Sequence, residues 1–323
     1  MVHKKSIITL FLVGFLAFSM TGCCQSVALI DEEAAKKIST VPAAWLVYWD
    51  VEAGLKDAKQ INNKLDGLVF FAANFAPNGT LVCDKNLLAA HKKLQKNKYN
   101  QFLSVVNDVT SGETTVALKD SKIVMAMLQD ETTQQEHITA LLDLVKKGGF
   151  TGLEIDYENL WKNEAAARLF PGFVEKLYSA TQQVGLKLRI VLEPSAPMEK
   201  MKFVTGPEYV VMFYNLYGLH SKPGPKANRQ FIYNTLNAMS SLPEPKAVAL
   251  SNGGCLWSTK DKAQFITERE AVRLQENHQT RPSRDVNSQC LFYSYREGTT
   301  VYDVWYADKD TINQWITWVK QGG

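Results

Sequence analysis

Short, almost uninterrupted apolar runs recur along this chain, and amphipathic helical patterns separate them. The runs are Ala44 to Tyr48, Leu68 to Ala72, Phe102 to Val106, Leu186 to Leu192, Tyr209 to Tyr214 and Ala247 to Leu250. Strands apolar on both faces belong to parallel sheets covered by helices, and regular alternation with helices implies right-handed crossovers. Helical spacing is found from Leu87 to Leu94, Gln134 to Lys147, Glu164 to Gln183, Arg229 to Met239 and Lys262 to Gln275. A last helix starts near Asp310, with Ile312, Trp315, Ile316 and Val319 spaced to face a core and Trp318 also expected to pack inward. Segments around Cys290 to Tyr293 and Val301 to Tyr306 predict an extended pair. Over this length the natural closures are an eight-fold βα barrel or a doubly wound sheet.

One strand differs from the rest. In Thr151-Gly152-Leu153-Glu154-Ile155-Asp156-Tyr157-Glu158-Asn159, three acids alternate with three large apolar residues. Alternate side chains on a strand share a face about 6.6 Å apart. Glu154, Asp156 and Glu158 therefore point one way, and Leu153, Ile155 and Tyr157 the other. If that face is buried, three like charges cannot all stay ionised, and a carboxylic acid holding its proton at neutral pH is what general acid catalysis requires. If it is solvated, the row is an ordinary polar strand face. In a barrel, functional groups gather where strands end, and Asp156, Glu158, Tyr214 and Asn215 all fall at such ends.

The chain has 323 residues, 46% of them hydrophobic and 21% charged, the composition of a globular protein. The formal net charge is +3, and Lys4 and Lys5 account for two of those charges within a segment expected to be removed. The near-neutral remainder, without a basic run interleaved with aromatics, argues against nucleic-acid binding. No His-Glu-x-x-His, phosphate loop or Gly-x-Gly-x-x-Gly occurs, so no metal and no cofactor is expected. The histidines, His3, His91, His137, His220 and His278, are scattered and are expected to be surface residues.

Lys4 and Lys5 precede an apolar run from Ile7 to Phe18, the pattern of an export signal too short to span a bilayer comfortably. Met20-Thr21-Gly22-Cys23 is similar to a bacterial lipoprotein signal, with methionine where leucine is usual. The expected organisation is a signal peptide over 1–22, lipidation of Cys23, a tether over 23–41 and a barrel domain over 42–323. An ordinary secretory signal cleaved nearby is the alternative. Lipidation would hold the protein at the membrane, facing the extracytoplasmic side, and more than one acyl chain makes such anchoring stable. In an oxidising compartment Cys255 and Cys290 form a conceivable bridge.

The acidic strand resembles the signature of glycoside hydrolase family 18, the chitinase-like family, usually Asp-Gly-x-Asp-x-Asp-x-Glu. Met212-Phe213-Tyr214-Asn215 resembles its second motif, Met-x-Tyr-Asp, and Val304-Trp305-Tyr306-Ala307-Asp308 is similar to a segment of its bacterial cortex-lytic and lipoprotein branch. The resemblance runs from about Val41 to the C-terminus and implies a (β/α)8 TIM-type barrel. Thr151, Glu154 and Asn215 stand where the family usually has Asp, and the third strand lacks its Ser-x-Gly-Gly pattern. After the last helix the family continues into an eighth strand. The sequence here stops at Gly322-Gly323, so that strand is expected to be missing or substituted, with Ser288 to Tyr306 the candidate substitute.

The resemblance implies a retaining glycosidase without an enzyme nucleophile, in which the N-acetyl group of the substrate attacks. Glu158, Asp156 and Tyr214 take the catalytic roles of acid, orienting carboxylate and phenol donor. Glu154 shares a proton with Asp156, and Asn215, Trp49 and Trp305 join it in substrate binding. Tyr214 could equally be a barrel-wall aromatic, and Asn215 could satisfy a strand-end backbone group. Trp257 is a further aromatic that could stack on sugar. The implied partner is an N-acetylated glycan such as peptidoglycan, a chitin-type oligosaccharide or an N-glycan core. A non-catalytic carbohydrate-binding chitinase-like lipoprotein is the competing class.

Overall fold

A computed structural model describes residues 42–61, 64–112 and 114–322. The signal segment, Cys23 and the tether lie outside the described residues. In chain order the first part consists of β1 (Ala43–Val47), α1 (Val51–Ile61), β2 (Gly67–Phe75), β3 (Leu81–Cys83), α2 (Lys85–Leu94), β4 (Asn100–Ser111), β5 (Thr114–Ala117), α3 (Ser121–Leu128), α4 (Glu131–Gly148) and β6 (Gly152–Asp156). It continues through α5 (Glu164–Gln183), β7 (Lys187–Leu192), β8 (Glu208–Met212), α6 (Arg229–Met239) and β9 (Lys246–Ala249). The remainder is β10 (Gly253–Ser258), β11 (Gln264–Ile266), α7 (Glu268–Asn277), β12 (Ser283–Arg284), β13 (Leu291–Glu297), β14 (Thr300–Ala307) and α8 (Lys309–Gly322).

Seven strands pair in parallel in the order β1-β2-β4-β6-β7-β8-β9, and the short strands β3 and β5 hang antiparallel on β2 and β4. The sheet curls. Trp45 of β1 packs in one interior cluster with Val191, Val210, Met212 and Ala249 from the other end of the sheet. Helix faces cover the outside: Phe170, Phe173, Val174 and Leu177 of α5 are buried, as their spacing predicts. This is the expected barrel architecture. Among the described residues no eighth parallel strand bridges β9 to β1.

The candidate substitute for that strand is elsewhere. Residues from Ser288 to Tyr306 form β13 and β14, an antiparallel hairpin in a separate sheet ordered β11-β10-β14-β13-β12. With α7 this sheet makes a small second core of Ala271, Tyr293, Tyr295, Val304 and Tyr306. The helix expected from Lys262 begins only at Glu268. A reciprocal capping box between Thr267 and Glu270 starts it there, and residues 264–266 pair with β10 instead.

Two further expectations are corrected in the core. His91 and His137 are buried, not surface residues: His91 stacks on Phe150 at 3.9 Å, and His137 bonds the Tyr157 hydroxyl at 2.7 Å. Ile316 is 38% exposed because the buried stripe of α8 runs through Thr311, Trp315 and Trp318 at spacings of four and three. Trp315 and Trp318 pack inward as expected. Cys83, Cys255 and Cys290 are free thiols, so the conceivable bridge is not made.

Candidate active site

Glycine opens the acidic strand because β4 and β6 lie tightly together. A Cβ on Gly152 would come within 2.5 Å of the Phe102 ring and 3.1 Å of the Lys187 carbonyl. From there the alternation works as the pleat requires. Leu153, Ile155 and Tyr157 enter the main core under the helices, while Glu154 and Asp156 turn inward and are buried. Glu154 is wholly inaccessible, which disposes of a solvated strand face.

Two cationic or donor groups meet Glu154 inside the barrel. The Trp45 indole N–H donates to its Oε1 at 2.8 Å, and Arg189 Nε stands 3.5 Å from its Oε2. Arg189 is itself buried between the Trp45 and Phe102 rings, at 5.2 and 5.1 Å from their centroids, and also reaches Glu208 at 3.1 Å. A buried carboxylate is tolerable only with such partners. Oε1 of Glu154 is thus held by Trp45, while Oε2 lies at ion-pair distance from Arg189 without a hydrogen bond, and the charge of Glu154 acts on Asp156.

Asp156 has no such counter-ion, and its Oδ1 is buried without a hydrogen-bond partner. Burial, then the charges of Glu158 and Glu154, push its carboxyl well above the usual carboxylate range, and Lys119 only partly opposes them. Asp156 is thus pushed toward its protonated form.

Glu158 lies just past the strand end. Its backbone N–H donates to Asn107 Oδ1, and Asn107 Nδ2 donates back to its carbonyl, both at 2.9 Å. Its carboxyl is largely buried and forms an ion pair with Lys119. Burial raises the Glu158 carboxyl, Lys119 lowers it through charge and hydrogen bond, and the net direction is upward. Lys119 is held in turn: it has a left-handed φ of 53°, and its N–H donates to Asp108 Oδ1 at 2.8 Å.

Tyr214 follows β8 and is half-buried in the interior cluster with Trp45. Burial, then Asp156, Glu158 and Glu154, push its phenol well above the ordinary range, so it stays a proton donor in the field of all three acids. Asn215 takes a left-handed φ of 73°, which asparagine tolerates, and turns the chain out of the strand with its amide near Met212 Sδ at 3.9 Å. Trp49 is 60% exposed at the end of β1 and packs edge-on against Tyr48 and Phe71. Trp305 belongs to the second sheet, stacked on Phe292 at 4.6 Å and packed against the main core. Trp257 is buried and donates to the Ser221 carbonyl at 2.9 Å, so its faces are not free.

Trp45, Arg189, Asn107 and Lys119 are the residues that reasoning from sequence missed. Arg189 left an ambiguous trace, because it shares a strand face with Lys187 and only its partner Glu154 marks it as inward.

No protein-family profile matches the sequence. By sequence the chain is 23% identical over 269 residues to YdhD of Bacillus subtilis (strain 168), named a sporulation-specific glycosylase, and spans 62% of that protein's length. The structure of YdhD superposes with a TM-score of 0.66 at 21% identity, covering 78% of this chain and 86% of that one. The spore cortex-lytic enzyme SleL of Bacillus megaterium gives 0.69 at 15% identity, over 86% and 67% of the two chains. A class V chitinase of Nicotiana tobaccum, crystallised with NAG4, gives 0.66 at 14% identity over 88% and 92%. The fold is that of the chitinase-like glycoside hydrolase family 18. Within this family 18 fold the acidic strand is the fourth parallel strand of the barrel and Tyr214 follows the sixth.

Proposed function

We propose that this chain is a retaining glycosidase that hydrolyses β-linked, N-acetylglucosamine-containing glycans by substrate-assisted catalysis. The observation that carries the reading is Glu158 at the strand mouth beside the proton-retaining Asp156, with the Tyr214 phenol in the same field. The relatives support it, since they are named glycosylases, chitinases and a cortex-lytic enzyme, and one chitinase structure holds NAG4.

In this mechanism Asp156 and Glu158 carry one proton between them. As the acetamido N–H of the substrate docks on Asp156, that carboxyl becomes the acceptor and its proton passes to Glu158. Glu158 gives it to the glycosidic oxygen as the bond to the anomeric carbon breaks. The acetamido oxygen forms the new bond to that carbon, and Asp156 stabilises the positive oxazolinium ion. Tyr214 donates to the acetamido oxygen and aims it. Water then attacks the anomeric carbon from the vacated side, its proton passes to Glu158, and the ring opens with retained configuration. Trp49, exposed at the rim, would stack on a sugar ring, and Asn215 would meet hydroxyls. The protein would act outside the cytoplasm, tethered through Cys23.

Glu158→Gln should lower turnover of N-acetylglucosamine oligomers by at least ~10²-fold through loss of the general acid. Reducing-end release is the assay, and near-normal release by that variant overturns the assignment. Binding without release by the unmodified protein would favour the carbohydrate-binding alternative.

A further inference from the structure

The acidic strand β6 lies between β4 and β7, and its ladders to both stop short of Glu158. The last rungs pair Asp156 with Val106 on one side and Ile155 with Ile190 on the other. Side chains take over where the ladders end. On the β4 side Asn107 Nδ2 donates to the Glu158 carbonyl at 2.9 Å. On the β7 side Glu193, the first residue beyond that strand, accepts the Asn159 N–H on its Oε2 at 2.7 Å. One peptide unit, Glu158–Asn159, is therefore gripped at its carbonyl from one neighbour and at its N–H from the other.

That unit is where the chain needs holding. Asn159 takes a left-handed φ of 60°, which asparagine tolerates but which no ladder imposes, and it directly follows the proton donor. Its side chain is engaged as well. Nδ2 donates to the Lys119 carbonyl at 3.4 Å, and Oδ1 accepts from Lys162 Nζ at 3.2 Å.

An amide at position 193 would accept the same N–H, so an acid there needs a second reason. The groups facing the Glu158 carboxyl are Lys119 from the excursion after β5, Asp108 of β4, Asp156 of β6, the Tyr214 phenol after β8, and Glu193. Lys119 is the cation of this set, and it favours the ionised form of Glu158, which has no proton to give. Glu193 acts in the opposite direction on Glu158 and Asp156 alike.

We propose that Glu193 is a positioning residue for the proton donor with two separable duties: its acceptor oxygen fixes the peptide unit that aims Glu158, and its charge stands against Lys119. The proposal rests on the glycosidase reading and deepens it.

Two variants separate the duties on a neutral β-1,4 N-acetylglucosamine tetramer. Glu193→Gln keeps an acceptor and removes the charge, so the alkaline limb of kcat/KM should move to lower pH by on the order of one unit. Glu193→Ala removes both, and kcat on its plateau should fall roughly tenfold or more below that of Glu193→Gln, with KM little changed between them. A limb that stays in place in Glu193→Gln, or equal plateau kcat in the two variants, overturns the proposal and leaves the glycosidase reading standing. If the unmodified protein cleaves no N-acetylglucosamine oligomer, that reading fails by itself. Carbon-13 titration of the Glu158 carboxyl in the unmodified protein and in Glu193→Gln then decides: a lower value in the variant supports the proposal, and an unchanged one sinks it.

Discussion

Trp45 and Glu154 stand 109 residues apart in sequence, yet the indole of the first strand donates to the carboxylate of the fourth at 2.8 Å inside the barrel. Arg189 stands 3.5 Å from the other carboxylate oxygen, so the innermost acid of the row faces two positive or donor groups, while burial raises the carboxyls of Asp156 and Glu158.

Arg189→Met should therefore be costly. It strips the counter-charge from a buried carboxylate, for which roughly 3–5 kcal/mol of destabilisation is typical. Urea unfolding measures it. The double variant with Glu154→Gln should recover part of the loss, and additivity of the two changes would argue against the pairing.

Asp156 works against the fold at neutral pH. Its carboxyl is raised above the unfolded 3.8, so the native state holds a proton that the unfolded chain has released. Stability from this group is full below about pH 3.8 and is lost as pH rises through the higher folded value. Asp156→Asn should melt higher than the parent at pH 8, by about 2–4 °C for each kcal/mol recovered. The gain should shrink at pH 4, and turnover should fall. A gain of the same size at both pH values would contradict the linkage.

Lys119 lowers the Glu158 carboxyl, so Lys119→Met lets it rise. The alkaline limb of kcat/KM on the neutral tetramer, where the acid loses its proton, should move to higher pH. A limb that stays in place would show that Lys119 does not reach the acid.

His137 gives the opposite slope. Burial lowers its imidazole from 6.5 to about 4, so stability is present above pH 6.5 and declines as the unfolded chain alone takes up a proton. The full loss below pH 4 is about 3 kcal/mol. Replacing His137 and its partner Tyr157 together by Phe should give a shallower decline in chemical denaturation between pH 6.5 and 4.

The parallel strands and the long helices were legible because both faces of each strand are apolar and each helix keeps its stripe. Glu164–Gln183 and Arg229–Met239 fall at the predicted bounds. What failed was decided by long-range partners. Arg189 has the look of surface alternation beside Lys187 until Glu154 is brought against it. His137 gives no sign of burial until Tyr157 supplies its bond. Lys119 sits on a left-handed residue after a short hairpin, a place that periodicity does not describe.

The clasp between Asn107 and the backbone of Glu158 begins one residue beyond the last rung of the β4–β6 ladder, at Val106 and Asp156. It ties the Glu158 backbone to the barrel wall, while the Glu158 carboxyl pairs with Lys119 on the turn beside it. That turn is consequently an exchangeable faceplate. Changes within residues 114–120 would leave the Glu158 backbone where the Asn107 clasp holds it.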